Sequence, residues 1–269
     1  VEDRGSGNEV HRLASWSEPD EWDATTAESG VVHEATTNTD HTDASHLKQG
    51  YSVANPLSDA DLRRYYPLQE DSGSTLYDFG NDGADGTNNG ATQGATGLLG
   101  TSAYDFDAAN SEYASFPSLG NLLDGSNDYS FSYWFKPDTI PGEFEKATTL
   151  SFVGDYGVRT RFDSETFAFR FYDGSLHQIT TTSLSEDTWY HVAVTWDADG
   201  NAEMYIDGTS VGTVSTVAPN STSGTNTISS RDGSQFFFDG RVADLRIYST
   251  LLSSSQVQTL YDVVDTHGM

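Results

Sequence analysis

The chain contains no cysteine, so it forms no disulfide bond and has no thiolate nucleophile or metal ligand. It also lacks an apolar run long enough to cross a membrane as a helix. Long stretches with helical periodicity are nearly absent. These absences exclude thiol enzymes and disulfide-stapled scaffolds, and they predict no membrane insertion.

Basic residues are scarce, with 13 Lys and Arg against 41 Asp and Glu and a formal net charge of −28 at pH 7. The only lysines are Lys48, Lys136 and Lys146. In molar salt the Debye length falls to about 3 Å, which screens the self-repulsion of such a chain. The composition therefore favours a hypersaline environment, with an ordinary acidic extracellular protein as the alternative. The same negative field disfavours nucleic acid as a partner.

Tyrosine, phenylalanine and threonine are plentiful, and 25 glycines separate short alternating segments. This pattern predicts an all-β fold, a two-sheet antiparallel sandwich of about a dozen strands. The predicted strands are 103–106, 112–116, 129–136, 148–153, 158–162, 166–172, 176–180, 189–196, 202–206, 226–229, 236–238 and 242–248.

The first 58 residues differ from the rest, being rich in acidic, Ser and Thr residues without sustained periodicity. We predict an extended N-terminal arm at 1–58 that orders against another subunit or partner, and a sandwich domain at 59–269. A free tail is the alternative for the arm. Residues 57–66 are predicted to form a short helix with Ser58 as its cap.

The stretch 239–261 combines a strand with a short helix. Its alternation predicts that Val242, Asp244, Arg246 and Tyr248 share one side of the strand. Serines at 253–255 then supply N-cap hydroxyls for the helix. A carboxylate within such a strand must be paired, bound to a metal or exposed to water.

Three segments resemble motifs of one family in the same order. They are YYPLQEDSGSTLYDFGNDGADGTNNGA (65–91), TWYHVAVTWDADGNAEMYIDG (188–208) and FDGRVADLRIYSTLLSSSQVQTLY (238–261). They are similar to the opening, central and closing motifs of the laminin G-like, pentraxin-like branch of the concanavalin A-like lectin/glucanase superfamily. The resemblance implies a jelly-roll sandwich that often holds a structural calcium ion and often binds carbohydrate.

The loop that begins at Asp78 is rich in aspartate and glycine. Calcium prefers hard oxygen ligands, and the resemblance places this loop beside the closing motif. We therefore expect Asp78, Asp82 and Asp244 to bind calcium. The alternative is that Asp244 pairs with Arg241 or Arg246.

A basic surface is predicted on two strands: in 166–172 the phenylalanines alternate with Ala168, Arg170 and Tyr172, and in 158–162 the arginines lie opposite Val158 and Phe162. The candidate carbohydrate-binding residues are Arg159, Arg161, Arg170, Tyr172 and Tyr156. The arginines would receive an acidic sugar, and one of the tyrosines would stack on its ring. The alternative is that the arginines pair with neighbouring carboxylates, which are Asp155, Asp163, Glu165 and Asp173.

Signals of catalysis are weak. The chain has no paired acids of the E-x-D-x-x-E type used by glucanases of the superfamily, and no G-x-S-x-G, H-E-x-x-H or G-x-x-x-x-G-K motif. Together with the carbohydrate binding that the resemblance implies, these absences predict a non-catalytic carbohydrate-binding or adhesion module that recognises host-surface glycans. A structural assembly protein and a glycoside hydrolase or lyase are the alternatives.

The first 30 residues lack the basic-then-apolar pattern of a secretory signal. An adhesin-like chain without that signal is expected on a virion, as a tail fibre, turret or capsid decoration of a haloarchaeal virus. We expect it on the virion surface or outside the cell at high salt, as a homo-oligomer (trimer or pentamer) that contacts other virion proteins through its arm.

Overall fold

The computed structural model describes residues 2–3, 9–10, 59–98, 101–119, 127–152, 157–182, 184–215 and 225–265. Within the first 58 residues it describes two short paired strands, β1 (Glu2–Asp3) and β2 (Glu9–Val10). The rest of the predicted arm lies outside the described residues, so the arm stays a prediction.

The first of two large sheets contains eight antiparallel strands. In spatial order they are β13 (Leu176–Thr181), β12 (Thr166–Tyr172), β11 (Val158–Asp163), β10 (Lys146–Phe152), β17 (Asn226–Ile228), β8 (Tyr113–Phe116), β5 (Gly86–Asn89) and β4 (Thr75–Leu76). The order departs from chain order at β17, so this sheet is assembled from distant segments.

The second sheet packs against the first and is also antiparallel. Its strands are β16 (Thr209–Ser215), β15 (Asn201–Ile206), β14 (Tyr190–Trp196), β9 (Tyr129–Pro137), β18 (Gly240–Tyr248), β7 (Ser102–Phe106) and β6 (Thr92–Thr96). A further strand, β3 (Leu62–Tyr66), pairs with the C-terminal half of β18.

Aromatic side chains fill the space between the sheets. Phe135 of β9 stacks on Phe167 of β12 with ring centroids 4.8 Å apart, and Phe171 meets Trp196 at 4.5 Å. Burying one large apolar side chain stabilises a fold by about 1.5–3 kcal/mol, and aromatic pairs add to this. The alternating phenylalanines of β12 therefore determine the face of the first sheet that points outward.

The C-terminal helix α1 (Ser254–Asp265) covers the outer face of the second sheet. Its cap is reciprocal, because the Gln256 amide lies 3.3 Å from the Ser253 hydroxyl while the Ser253 amide donates to the Gln256 side chain at 2.8 Å. Val257 and Leu260 are buried against the sheet. The predicted strand followed by a capped helix is confirmed. Among the described residues, α1 and the other helical segments are too short or too polar to cross a membrane.

Two predicted elements are wrong. Residues 59–66 do not form the helix predicted for 57–66: a single 3-10 turn at Asp59–Asp61 leads into strand β3, and the predicted cap Ser58 lies outside the described residues. Residues 236–238 do not form a strand, because Phe236 has a φ of 53° and the segment runs as a loop. In both cases the chain follows a partner distant in sequence, which for β3 is β18.

Strand β18 contains a β-bulge at Asp244. This residue has a φ of 55°, and the pairing with β9 shifts by one residue between Ala243 and Arg246. An extra residue exchanges the two faces of the strand beyond it. The prediction that Asp244 and Arg246 share a side with Val242 is therefore wrong. The core residues of this strand are Val242, Leu245 and Ile247.

Candidate functional site

Three predicted arginines meet on the outer face of the first sheet. Strands β11 and β12 pair so that Arg159 lies directly opposite Arg170, while Arg161 lies two residues further along β11. The alternate residues of β12 are phenylalanines buried in the core, so the arginines must point away from it. The predicted alternation of these two strands is confirmed.

The arginines line a pocket of about 160 Å³. Its lining residues are Gly157, Arg159, Arg161, Arg170, Phe171, Tyr172 and Leu176. Four of the five predicted carbohydrate-binding residues thus lie together, and the fifth, Tyr156, lies outside the described residues. Their role as ligand contacts stays a prediction.

Asp163 is the carboxylate that pairs with this group. It accepts from Arg161 at 2.9 Å and also from Arg170. Burial raises the pKa of Asp163, but the two arginines more than offset this, so that its pKa lies below the ordinary value. Asp173 lies 2.9 Å from His177. The ion-pair alternative therefore holds for Asp163, and Asp155 lies outside the described residues.

The arginines repel one another in a site that is mostly buried. Arg159 and Arg161 are only 7% and 8% exposed. Burial, followed by repulsion from Arg161 and Arg170, lowers the pKa of Arg159 to about 10. Burial and Arg170 likewise lower the pKa of Arg161. Because an anion would relieve both costs, the electrostatics favour an acidic ligand.

One donor in the site has no partner. The Nε atom of Arg161 is buried and forms no hydrogen bond in the part of the chain described. An unsatisfied buried donor costs on the order of 1–3 kcal/mol, and more when it is charged. Arg161 therefore has hydrogen-bonding capacity that the described residues leave unused.

A second group of cations, which sequence reasoning missed, adjoins the pocket. Lys146, Arg161 and Arg231 surround the ring of Phe236 at 5.5, 5.7 and 5.8 Å from its centroid. We call Phe236, Lys146 and Arg231 the Phe236 shelf. The hairpin of β10 and β11 could have placed Lys146 near the arginines, but no local pattern brings the loop with Arg231 and Phe236 to this face.

The predicted calcium loop is organised by hydrogen bonds to Asp78. One carboxylate oxygen accepts from the amides of Tyr65 and Gly80, both at 2.8 Å, and the other accepts from the Ala84 amide at 2.9 Å. Asp78 is fully buried, and burial raises its pKa while these donors lower it in part. The carboxylate thus holds the loop against β3.

The other two predicted calcium ligands form ion pairs. Asp82 pairs with Arg63 at 2.8 Å and with Arg64, and Asp244 pairs with Arg246 at 3.1 Å. Among the residues described, no three His, Asp or Glu side chains are grouped closely enough to hold a metal ion. As arranged here, these donor sets do not fit a calcium ion. Calcium binding stays a prediction.

A family model matches residues 108–258, which is more than half of the chain. The model is Laminin_G_3, described as concanavalin A-like lectin/glucanases superfamily. A search of curated protein sequences found no match. The predicted concanavalin A-like jelly-roll fold is confirmed by this match together with the two packed antiparallel sheets.

Several solved structures of toxin binding domains are similar. The binding domain of Paraclostridial Mosquitocidal Protein 1 aligns with a TM-score of 0.62 and 14% identity, covering 76% of this chain and 52% of that chain. The binding domain of botulinum neurotoxin DC, solved in complex with SialylT, gives 0.62 and 15%, covering 79% and 52%.

A third structure is titled for the cell entry of botulinum neurotoxin type C through two ganglioside molecules. It gives a TM-score of 0.59 and 15% identity, covering 77% of this chain and 52% of that chain. At these identities the likeness shows the fold alone. The chain spans about half the length of the similar structures.

Proposed function

Because the chain belongs to the concanavalin A-like lectin/glucanases superfamily, we propose that it is a carbohydrate-binding module for acidic glycans. The observation that carries this is the convergence of Arg159, Arg161 and Arg170 on one pocket in a chain of net charge −28. Three of the 13 basic residues of the chain therefore lie at this one pocket. The fold alone does not assign the ligand, so the proposal rests on the site.

The chemistry of the pocket suits a carboxylate or sulfate on a sugar. A guanidinium presents several N–H donors in a plane, which match the oxygens of such a group. Tyr172 and Leu176 add apolar surface at the same pocket, and an aromatic ring can pack on the apolar face of a sugar. In molar salt long-range attraction is screened, so a partly buried site keeps more of its binding strength than an exposed one.

The similar toxin domains support a glycan as the ligand. One was solved with SialylT, and another is titled for its interaction with gangliosides. We carry from them the ligand class alone, because the arginine pocket is a feature of this chain's own residues.

We place this module on a virion surface or outside a cell in a high-salt environment, where it acts in adhesion. The excess of acidic residues supports the salt environment. As a tail fibre, turret or capsid decoration of a haloarchaeal virus, it would contact host-surface glycans. The arm at 1–58 would join copies of the chain into a trimer or pentamer and connect them to other virion proteins.

Binding of the full chain to paired oligosaccharides in molar salt tests the function. The pairs are acidic oligosaccharides and the same molecules with each carboxyl group reduced to an alcohol. We expect binding of the acidic forms and a loss of about tenfold or more in Arg159→Gln, because one charge-assisted hydrogen bond contributes about 1.5–3 kcal/mol.

Arg241→Gln is the matched control, because Arg241 lies on the second sheet, 3.5 Å from Asp105. It removes the same charge and should bind as the wild type does. Equal affinity for acidic and reduced forms would contradict the proposal. Absence of all binding would point to a structural assembly protein, and turnover of the oligosaccharide to a hydrolase or lyase.

A further inference from the structure

We propose that the site selects glycans with two acidic groups, one held in the arginine pocket and the other on the Phe236 shelf. This inference rests on the proposed function and specifies its ligand. It assigns to Lys146 and Arg231 the binding of the second acidic group. Arg161 connects the two subsites, because it lines the pocket and also lies beside the Phe236 ring.

The pocket, which is partly open to solvent, is about the size of a single ring. A cavity of about 150 Å³ holds a single six-membered ring such as benzene. The arginine pocket, at about 160 Å³, therefore has room for one ring. A second acidic group, on the next sugar of the same glycan, would lie on the surface that adjoins the arginines.

The surface that adjoins Arg161 carries two further cations, Lys146 and Arg231, with Asp163 opposite Lys146 on the neighbouring strand. Lys146 Nζ and Arg161 Cζ lie 5.5 and 5.7 Å from the centroid of the same phenyl ring, so the two atoms are no more than about 11 Å apart. An aromatic face attracts a cation electrostatically, but it does not occupy the N–H donors of the cation as an oxygen acceptor would. The ammonium of Lys146 therefore keeps donor capacity that a carboxylate or sulfate can use.

The shelf is held in place before any ligand arrives. The Phe236 carbonyl accepts from the Thr148 amide of β10 at 2.7 Å, and the Phe238 amide donates to the Ser229 carbonyl at 2.9 Å. Phe236 itself has a φ of 53°, a left-handed conformation that is unfavourable for a bulky residue. Such strain persists where the surroundings fix it, and it concentrates at binding sites. The fixed ring orders the side chains that flank it, which lowers the entropy cost of binding.

Arg161, the residue shared by the two subsites, has unused hydrogen-bonding capacity. Arg161 is more than nine-tenths buried, and its Nε atom has no hydrogen-bond partner among the described residues. Asp163 occupies a terminal nitrogen of the same guanidinium. An acidic group bound beside Arg161 would complete the hydrogen bonds of this side chain.

Two disaccharides that differ by one charge test the inference. Unsulfated chondroitin disaccharide carries one acidic group, and the monosulfated form carries two. We expect the full chain in molar salt to bind the monosulfated form at least tenfold more tightly. In Lys146→Gln and Arg231→Gln that preference should disappear, while the affinity for the unsulfated form stays unchanged. Arg159→Gln should weaken both.

Lys136→Gln is the control for charge, because Lys136 pairs with Asp187 at 2.6 Å on the second sheet. It should keep the wild-type preference. Provided that the wild type binds the unsulfated form, two results overturn the inference. In one, Lys146→Gln and Arg231→Gln reduce the affinities for both disaccharides equally; in the other, they leave both affinities unchanged. If neither disaccharide binds to the wild type, the proposed function itself fails. Thermal unfolding of each variant shows that it is folded before its affinity is compared.

Discussion

Arg159 and Arg170 lie directly opposite each other on neighbouring antiparallel strands. Like charges in this position destabilise a sheet, and here both side chains also line a mostly buried pocket. Their repulsion contributes to lowering the pKa of Arg159 to about 10. Because this value is still well above neutral pH, the side chain stays charged there. The sheet thus keeps an unfavourable arrangement that a bound anion would offset.

The first prediction concerns the stability cost of the site. We expect Arg159→Gln to leave the free energy of unfolding unchanged or to raise it by up to about 1 kcal/mol, because it removes a buried, repelled charge. Chemical denaturation at fixed salt measures this. A loss of more than about 2 kcal/mol would mean that Arg159 serves the fold rather than a ligand.

A second prediction concerns the buried arginine of β18. Arg246 is 1% exposed, lies 3.1 Å from Asp244 and stacks over Tyr65 at 4.7 Å. Arg246→Met should lower the free energy of unfolding by about 3 kcal/mol, because it leaves the carboxylate at Asp244 without its positively charged partner. Arg241→Met, on the same strand but with 26% of its side chain exposed, should cost less than about 1 kcal/mol in the same denaturation experiment. Equal losses would show that burial of the pair is not the reason.

A third prediction concerns pH. His191 is buried against Trp134, with ring centroids 5.1 Å apart, and its Nδ1 has no partner among the described residues. Burial, followed by the charge of Arg246, lowers the pKa of His191 from 6.5 to about 3. In the unfolded chain His191 therefore becomes protonated below about pH 6.5, whereas in the folded protein it stays neutral down to about pH 3.

This uptake should make acid destabilise the wild type more than His191→Gln, by about 1.4 kcal/mol per pH unit in that window. Unfolding curves of both proteins from pH 7 to about pH 3.5 measure the difference. Parallel curves would show that His191 is protonated in the folded protein.

A fourth prediction concerns the Asp78 loop. A Cβ added at Gly80 would lie 2.6 Å from the Arg63 carbonyl oxygen and 2.6 Å from the Arg64 Cα, which are backbone atoms that cannot move aside cheaply. Gly80→Ala should lower the free energy of unfolding by about 3 kcal/mol or more. Gly142→Ala is the control, since its Cβ would meet only the Glu145 carboxylate, at 3.6 Å. If both variants unfold at the same denaturant concentration, the close packing of this loop is not needed.

The parts of this site that the sequence predicts are those built from neighbours in the chain. Strands β11 and β12 form a hairpin, so their alternation was sufficient to place Arg159, Arg161 and Arg170 on one face. The helix cap at Ser253 was equally predictable, because its partner Gln256 is three residues away.

The parts that failed depend on distant segments or on one inserted residue. Asp244 reads as an ordinary strand position, and only the pairing of β18 with β9 shows that it is a bulge. The loop of Arg231 and Phe236 reaches the arginines because Phe236 bonds to Thr148 of β10, a long-range contact without a local signal. The helix predicted for 57–66 is wrong for the same reason: strand β3 depends on its pairing with the distant strand β18, which the local sequence does not indicate.

The most direct test of acidic-ligand binding follows the arginine side chains themselves. In ¹H–¹⁵N NMR spectra of the full chain in molar salt, the Nε–H signals report on each guanidinium during titration with monosulfated chondroitin disaccharide. Binding of an acidic ligand at the arginine pocket predicts saturable shifts for Arg159, Arg161 and Arg170, with the signals of Arg241 and Arg246 unchanged. Pocket arginines that do not shift, or that shift no more than Arg241 does, would contradict it.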